Sequence, residues 1–542
     1  MADDPNQITY FAQTDSRSDR KKFGIKSADR SKHVYVIGKT GMGKSTLLEN
    51  MAVQDIQNGN GMALIDPHGG TAEKLLEYIP ENRINDVVYF APFDIEHPLA
   101  FNVMEDVGPE RRHLVVSGLM SAFLKLFGEE SFSDRMQYIL QNIILALLEY
   151  PDSTMLGINK MLVDKAYRKS VVDNVTDPSV KAYWTKEFAG YTERFAAEAI
   201  PAIQNKIGQF TSNPLIRNII GQPKSSFNFR KIMDEKKIMI VNLSKGRVGE
   251  GNARLLGSML VTKIYLNAMS RADESAASLS KLPQFYLFVD EFQSFADKSF
   301  ADILSEARKY KLNLTMAHQY IEQMEEEVRD AVFGNVGTVI AFRVGAYDAE
   351  VLEKEFAPVF ILDDLVNLGL RQIYLKLMID SLTSQPFSAT TLPPIDLPSI
   401  SYVKEVIESS RRVFGRPKLE VEKAIVDWHE KELAPPAPSP FKPIIKKPEI
   451  PKPKVEERPA PLPKPPQPKI VPPPKISLDS LKERGNNQRK PDIKNISDLR
   501  EALSKITSSK PQAPNNIPTP TPKPQIKQGP TPEELKKILD VS

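Results

Sequence analysis

The stretch His33-Val34-Tyr35-Val36-Ile37-Gly38-Lys39-Thr40-Gly41-Met42-Gly43-Lys44-Ser45-Thr46-Leu47 decides the fold. Residues 33–37 predict a short buried strand that stops at Gly38. From about Lys44 to Ile56, apolar residues return at helical spacing. Between the two, Gly38, Gly41 and Gly43 let the backbone curl its N–H groups inward, at the mouth of a helix whose dipole favours negative charge. A strand, a glycine-rich turn and a helix opening on Lys44-Ser45 together predict a phosphate cradle. Its contacts run from Gly38, Lys39, Thr40, Gly41, Met42 and Gly43 through Lys44 and Ser45 to Thr46. In such a loop Lys44 reaches the β- and γ-phosphates and the Ser45 hydroxyl ligates Mg²⁺, so ATP and Mg²⁺ are the expected cofactors.

Downstream, Met62–Asp66 and Val87–Phe90 predict further strands, with a helix near Thr71–Tyr78 between them. Strands alternating with helices indicate a parallel α/β sheet, and the phosphate loop within it points to the P-loop nucleotide-hydrolase (RecA-like) class. From about Val107 to Asn228 the pattern turns helical. Arg111–Phe127, Phe132–Tyr150, Ser179–Phe188 and Ala196–Phe210 carry apolar residues three and four apart, and no strand is predicted among them. Strands return at Lys237–Leu243, Phe285–Asp290, Leu312–Ala317 and Thr338–Val344, an antiparallel pair closes the sheet within 374–392, and Tyr402–Phe414 is helical. The expected domains are therefore an N-terminal segment (1–24), a first ATPase part (25–106), an all-helical insertion (107–228), a second ATPase part (229–400), a helical extension (401–434) and a tail (435–542).

The second chemical motif is Phe285-Tyr286-Leu287-Phe288-Val289-Asp290-Glu291. An apolar strand here delivers two carboxylates to the C-terminal edge of the sheet, where α/β folds bind ligands. Asp290 is expected to hold the Mg²⁺ shell and Glu291 to orient and polarise the attacking water. The strand Leu312–Ala317 delivers His318-Gln319, which makes Gln319 a candidate sensor of the γ-phosphate. Arg308, closing the preceding helix, is a candidate arginine finger for a neighbouring subunit's nucleotide, with Arg343 as its rival. The loop Asp66-Pro67-His68-Gly69-Gly70 places His68 beside the phosphate loop, as a phosphate contact or as part of a tight turn.

Composition narrows the chemistry. The 542 residues include no cysteine, which excludes disulfides, thiolate metal sites and cysteine nucleophiles. The six histidines are scattered, with no pair at metal-ligand spacing. Of 44 prolines, 26 fall in residues 435–542, which also carry 21 Lys+Arg against 11 Asp+Glu. The tail's +10, subtracted from the whole-chain +3, leaves −7 for residues 1–434. A basic proline-rich tail of this kind favours extended, unfolded chain. Three short amphipathic segments within it, Ile476–Arg484, Ile496–Ile506 and Thr531–Leu539, are candidate docking helices. An acidic body implies that any nucleic-acid contact is local. The acidic start is no signal peptide, and no apolar stretch is long enough to span a bilayer.

Gly38–Ser45, Asp66-Pro67-His68-Gly69, His97-Pro98-Leu99-Ala100-Phe101-Asn102, Val289-Asp290-Glu291 and Ala317-His318-Gln319 follow one another in that order. Over about residues 20–400 the set resembles the HerA/FtsK superfamily of hexameric DNA-pumping ATPases. The helical insertion after Phe101-Asn102 and the stretch from Arg308 to Gln319 resemble the TraD-like coupling proteins of type IV secretion. The resemblance implies an ATPase that pumps DNA as a homohexameric ring. It also implies relaxosome or secretion-channel partners at the insertion or tail. Coupling proteins usually open with transmembrane helices that this sequence lacks, so the expected place is the cytoplasm, with recruitment to the inner face of the membrane. A protein-moving secretion ATPase, a HerA-like DNA-processing or packaging motor and a nucleotide-gated adaptor are the alternatives.

Overall fold

The computed structural model describes residues 4–15, 20–105, 108–296 and 299–430. The tail from 435, with its three amphipathic segments, lies outside them. Thirteen strands follow in chain order: β1 (Ile8–Thr14), β2 (Lys22–Lys26), β3 (Val34–Ile37), β4 (Gly61–Asp66), β5 (Val87–Phe90), β6 (Ile238–Asn242), β7 (Phe285–Val289), β8 (Leu312–His318), β9 (Thr338–Ala341), β10 (Gln372–Lys376), β11 (Met378–Ile379), β12 (Leu382–Thr383) and β13 (Phe387–Thr391). Eleven form one sheet in the order β2-β1-β13-β10-β9-β3-β8-β7-β4-β6-β5, while β11 and β12 pair as a separate hairpin. The seven strands from β9 to β5 are parallel to their neighbours. β10, β13, β1 and β2 extend one edge antiparallel.

Both faces of the parallel strands are buried, which is why they read as continuous apolar runs. Val34, Val36, Leu64, Phe288 and Ile340 point to one side, where Leu47, Leu48, Met51 and Ile56 of the helix Lys44–Gln57 cover them. Tyr35, Ile37, Ile65, Leu287 and Met316 point to the other, into a core continuous with that of the helices after β5. No strand occurs among the described residues between β5 and β6, as the sequence predicts. The helix Arg112–Phe127 lies tightly on Glu250–Met269, and a Cβ on Gly118 would meet Thr262 Cγ2 at 2.4 Å. Burial thus joins the helical insertion to the sheet rather than leaving it a free module.

Three local features differ from the sequence reading. The segment 179–188 is split into Pro178–Ala182 and a π-helical turn Tyr183–Glu187, where Tyr183 and Trp184 are buried. His33, read as the start of a strand, sits at φ 62 just before it. Residues 8–14 and 22–26, for which no strand is predicted, form the outer hairpin β1–β2. Only part of each strand is buried, so their apolar signal is diluted. Among the described residues no helix is long and apolar enough to cross a membrane.

Candidate nucleotide site

The parallel strands place their C-terminal ends side by side, and the polar loops gather there. Gly38 passes so close to β9 that a Cβ would meet Phe342 Cβ at 2.5 Å. Gly43 caps the helix at φ 116, a left-handed setting open chiefly to glycine. Together they shape the loop so that its last turn opens into Lys44–Gln57. Lys44 is buried, and its Nζ donates to the carbonyls of Gly38 at 2.5 Å and Lys39 at 3.2 Å. Burial lowers its pKa below that of a free lysine, against the pull of Glu291 and Asp290. Ser45 lies in the first helical turn, and its Oγ donates to Asp290 Oδ2 across 3.5 Å.

Asp290 and Glu291 follow β7 directly. β7 is separated from the phosphate-loop strand β3 by β8 alone. β3 and β7 thus lie about 9–10 Å apart along the sheet, and the Ser45 and Asp290 side chains close that distance from either side of β8. Asp290 is buried beside Asp66, which ends the adjoining strand β4, and Asp290 N donates to Ile65 O at 3.1 Å. Burial first, then the charges of Asp66 and Glu291, push the Asp290 carboxyl up to about 7. Asp66 is itself spoken for: its oxygens accept from His68 N at 2.8 Å and Ala72 N at 2.9 Å, closing the turn. That turn brings His68 Nε2 to 4.0 Å from Glu291 Oε1, with His68 half exposed.

His318 and Gln319 end β8 beneath the slot. His318 is buried, bonded through Nδ1 to the Tyr35 hydroxyl at 2.9 Å, while Gln319 is half buried. The two arginine candidates separate. Arg343 follows β9 beside its own phosphate loop, its carbonyl accepting from Lys39 N at 2.8 Å. Arg308 is exposed in the turn Ala307–Tyr310, at the opposite end of β8. Lys44, Ser45, Asp290, Glu291 and His68 therefore converge, Gln319 borders them, and Arg308 does not.

Sequence reasoning missed three neighbours. Asp66 was legible as an acid ending a buried strand. Gln293, which donates through Nε2 to Glu291 Oε2, carries no signal in the sequence. Arg371, at φ 63, leans on the loop by donating its N–H to Met42 O at 3.2 Å, a contact made across 329 positions of chain. Among the described residues no three His, Asp or Glu side chains converge as a metal site. Mg²⁺ nonetheless fits Ser45 and Asp290, because it binds through one or two protein oxygens and completes its shell with water and phosphate.

Sheet order, phosphate loop and paired carboxylates define a P-loop nucleotide-hydrolase fold with an inserted helical region. The chain belongs to the type IV secretory system conjugative DNA transfer family, whose model matches residues 11–335. It is similar in structure to the unbound conjugative coupling protein TrwBdeltaN70, at TM-score 0.50 and 13% identity over 69% of this chain and 88% of that one. It is likewise similar to plasmid coupling protein TrwB with ADP and Mg²⁺, at TM-score 0.51 and 14% identity over 73% and 98%. TrwB with the ATP analogue ADPNP gives TM-score 0.50 and 14% identity over 73% and 96%. At such identities the likeness is one of fold. No curated protein sequence matches the chain.

Proposed function

We propose that this chain is the ATP-hydrolysing motor of a conjugative DNA-transfer apparatus, acting as a homohexameric ring that passes DNA through its centre. The observation that carries the reading is the convergence of Lys44, Ser45, Asp290 and Glu291 on one sheet edge in a member of a DNA-transfer family. The loop N–H groups from Gly38 to Thr46 hold the phosphates, and the Lys44 ammonium exchanges its carbonyl partners for β- and γ-phosphate oxygens. Ser45 and Asp290 hold Mg²⁺, which offsets phosphate charge when bound. Glu291 orients the attacking water and accepts its proton, and Gln319 senses the γ-phosphate. Arg308 supplies positive charge to a neighbouring copy's nucleotide. The helical insertion and the basic tail receive relaxosome or secretion-channel partners, at the cytoplasmic face of the membrane.

The test is the ATPase rate with no polymer, with single-stranded DNA, with double-stranded DNA and with candidate protein cargo. Stimulation by DNA supports the motor. Turnover that responds to protein and ignores DNA makes it a protein-secretion ATPase, and turnover that responds to neither leaves only an adaptor.

A further inference from the structure

The residues after Glu291 are Phe292-Gln293-Ser294-Phe295, and their backbone folds back on itself. Glu291 adopts φ 47 and ψ 48, in the left-handed region. Ser294 N then donates to Glu291 O at 2.8 Å and Phe295 N to Phe292 O at 3.0 Å, a single tight turn. Two buried rings fix it. Phe292 stands edge-on to Phe300, with centroids 4.6 Å apart, and to His318 at 6.2 Å. Phe295 lies so close to the helix Glu250–Met269 that a Cβ on Gly257 would meet its ring at 2.2 Å. Ser258 Oγ donates to Phe295 O at 3.2 Å from the same helix.

Between these anchors the Gln293 side chain turns back to Glu291. Its Nε2 donates to Glu291 Oε2, while its buried Oε1 has no hydrogen-bond partner among the described residues. The amide's direction follows from chemistry: an ionised carboxylate only accepts, so the NH₂ must face it. A buried carbonyl without a partner is destabilising. That cost is tolerated here to keep a charge-assisted N–H bond on one oxygen of Glu291. The other oxygen, Oε1, is the one 4.0 Å from His68 Nε2.

We propose that Gln293 is a positioning residue for hydrolysis: it fixes Glu291 Oε2 so that Oε1 is presented to the attacking water. The inference rests on Glu291 as the water-polarising group. Water gives its proton to Oε1 as its oxygen bonds the γ-phosphorus, and the bond to the β–γ bridging oxygen breaks with its electrons on ADP. Without Gln293 the carboxylate rotates freely on a left-handed backbone, and only the fraction correctly aimed reacts. Nucleotide binding does not use this oxygen, so it is spared.

The experiment uses the full chain with ATP, Mg²⁺ and the stimulating DNA, and compares Gln293→Ala, Gln293→Glu and Glu291→Gln with the parent. Turnover at saturation is measured alongside affinity for a fluorescent ATP analogue and the thermal midpoint. Gln293→Ala is expected to lose about ten- to a hundred-fold in kcat, the scale of a misplaced catalytic group, with affinity and midpoint kept. Gln293→Glu keeps the shape but sets carboxylate against carboxylate, and should fall at least as far. Parental kcat in both Gln293 variants, with Glu291→Gln inactive, overturns the positioning role alone. Loss of affinity and midpoint in step with kcat overturns it too, in favour of a structural glutamine. Full turnover by Glu291→Gln removes Glu291 itself, and the inference with it.

Discussion

Lys44 and Arg308 stand at opposite ends of the same two neighbouring strands. β3 and β8 run parallel with Ile37 beside His318, so Lys44 lies just past their C-terminal ends and Arg308 just before the N-terminal end of β8. Seven residues of strand separate the two ends, about 20 Å. An arginine side chain cannot cover that distance along its own subunit. Any contact Arg308 makes with a phosphate is with another subunit's, whereas Arg343 lies beside its own loop.

Arg308→Ala is therefore expected to bind ATP normally and to hydrolyse it up to about a thousand-fold more slowly, the weight of a trans arginine. Mixing it with Lys44→Ala subunits should restore part of the activity, since some interfaces then pair an intact loop with an intact Arg308. The steady-state ATPase rate across mixing ratios is the measurement. A flat, inactive series would end the trans assignment.

Lys44 and Glu291 should separate binding from chemistry. Lys44→Ala is expected to weaken ATP affinity about ten- to a hundred-fold, because a charge-assisted contact is lost. Glu291→Gln should retain that affinity and lose about a hundred-fold or more in kcat. Equilibrium titration beside single-turnover hydrolysis distinguishes them, and equal affinity losses in both would contradict these roles.

Two buried histidines make stability sensitive to acid. His33 accepts from Leu314 N through Nδ1 at 3.1 Å and bonds Leu304 O through Nε2 at 3.3 Å, an arrangement that suits only the neutral ring. Burial holds His33 down at about 4 and His318 at about 3, with nearby cations adding to the effect. The unfolded chain takes up protons below its ordinary histidine pKa of about 6.5 while the fold refuses them. Stability is thus complete above that pH and falls as pH drops toward 4. His33→Asn, which tolerates the left-handed φ 62, should be less stable at neutral pH but show a shallower decline on acidification. Urea midpoints at three pH values across that range supply the check; an unchanged pH slope would count against it.

The tail is expected to act through its charge rather than in hydrolysis. Removal of residues 435–542 takes away 21 Lys+Arg and 11 Asp+Glu. Basal ATPase should be unaffected, while capture of DNA or an acidic partner weakens at low salt and the salt dependence becomes shallower. Filter binding across a salt series tests this. Loss of basal turnover on truncation would show that the boundary cuts into folded protein.

The sequence by itself determined the motifs that are local in the chain. The loop Gly38–Ser45 and the carboxylates Asp290 and Glu291 are each held within a few residues of a strand end, so pattern and spacing sufficed to find them. The same holds for β3 to β9, whose burial on both faces leaves unbroken apolar runs, and for the helical stretch after β5, whose spacing is regular. Tertiary structure alone decided what depends on contacts between distant segments. β1 joins the sheet by pairing with β13, almost four hundred residues on, β2 pairs with β1, and both are only partly buried and leave little apolar pattern. Arg371 reaches the phosphate loop, and Asp66 comes to stand beside Asp290, only because segments far apart in the chain pack together. The amide of Gln293 turns toward Glu291 because Phe292 and Phe295 find buried sites on either side of it. Strand order and side-chain burial are properties of the whole packed core, and no window of sequence contains them.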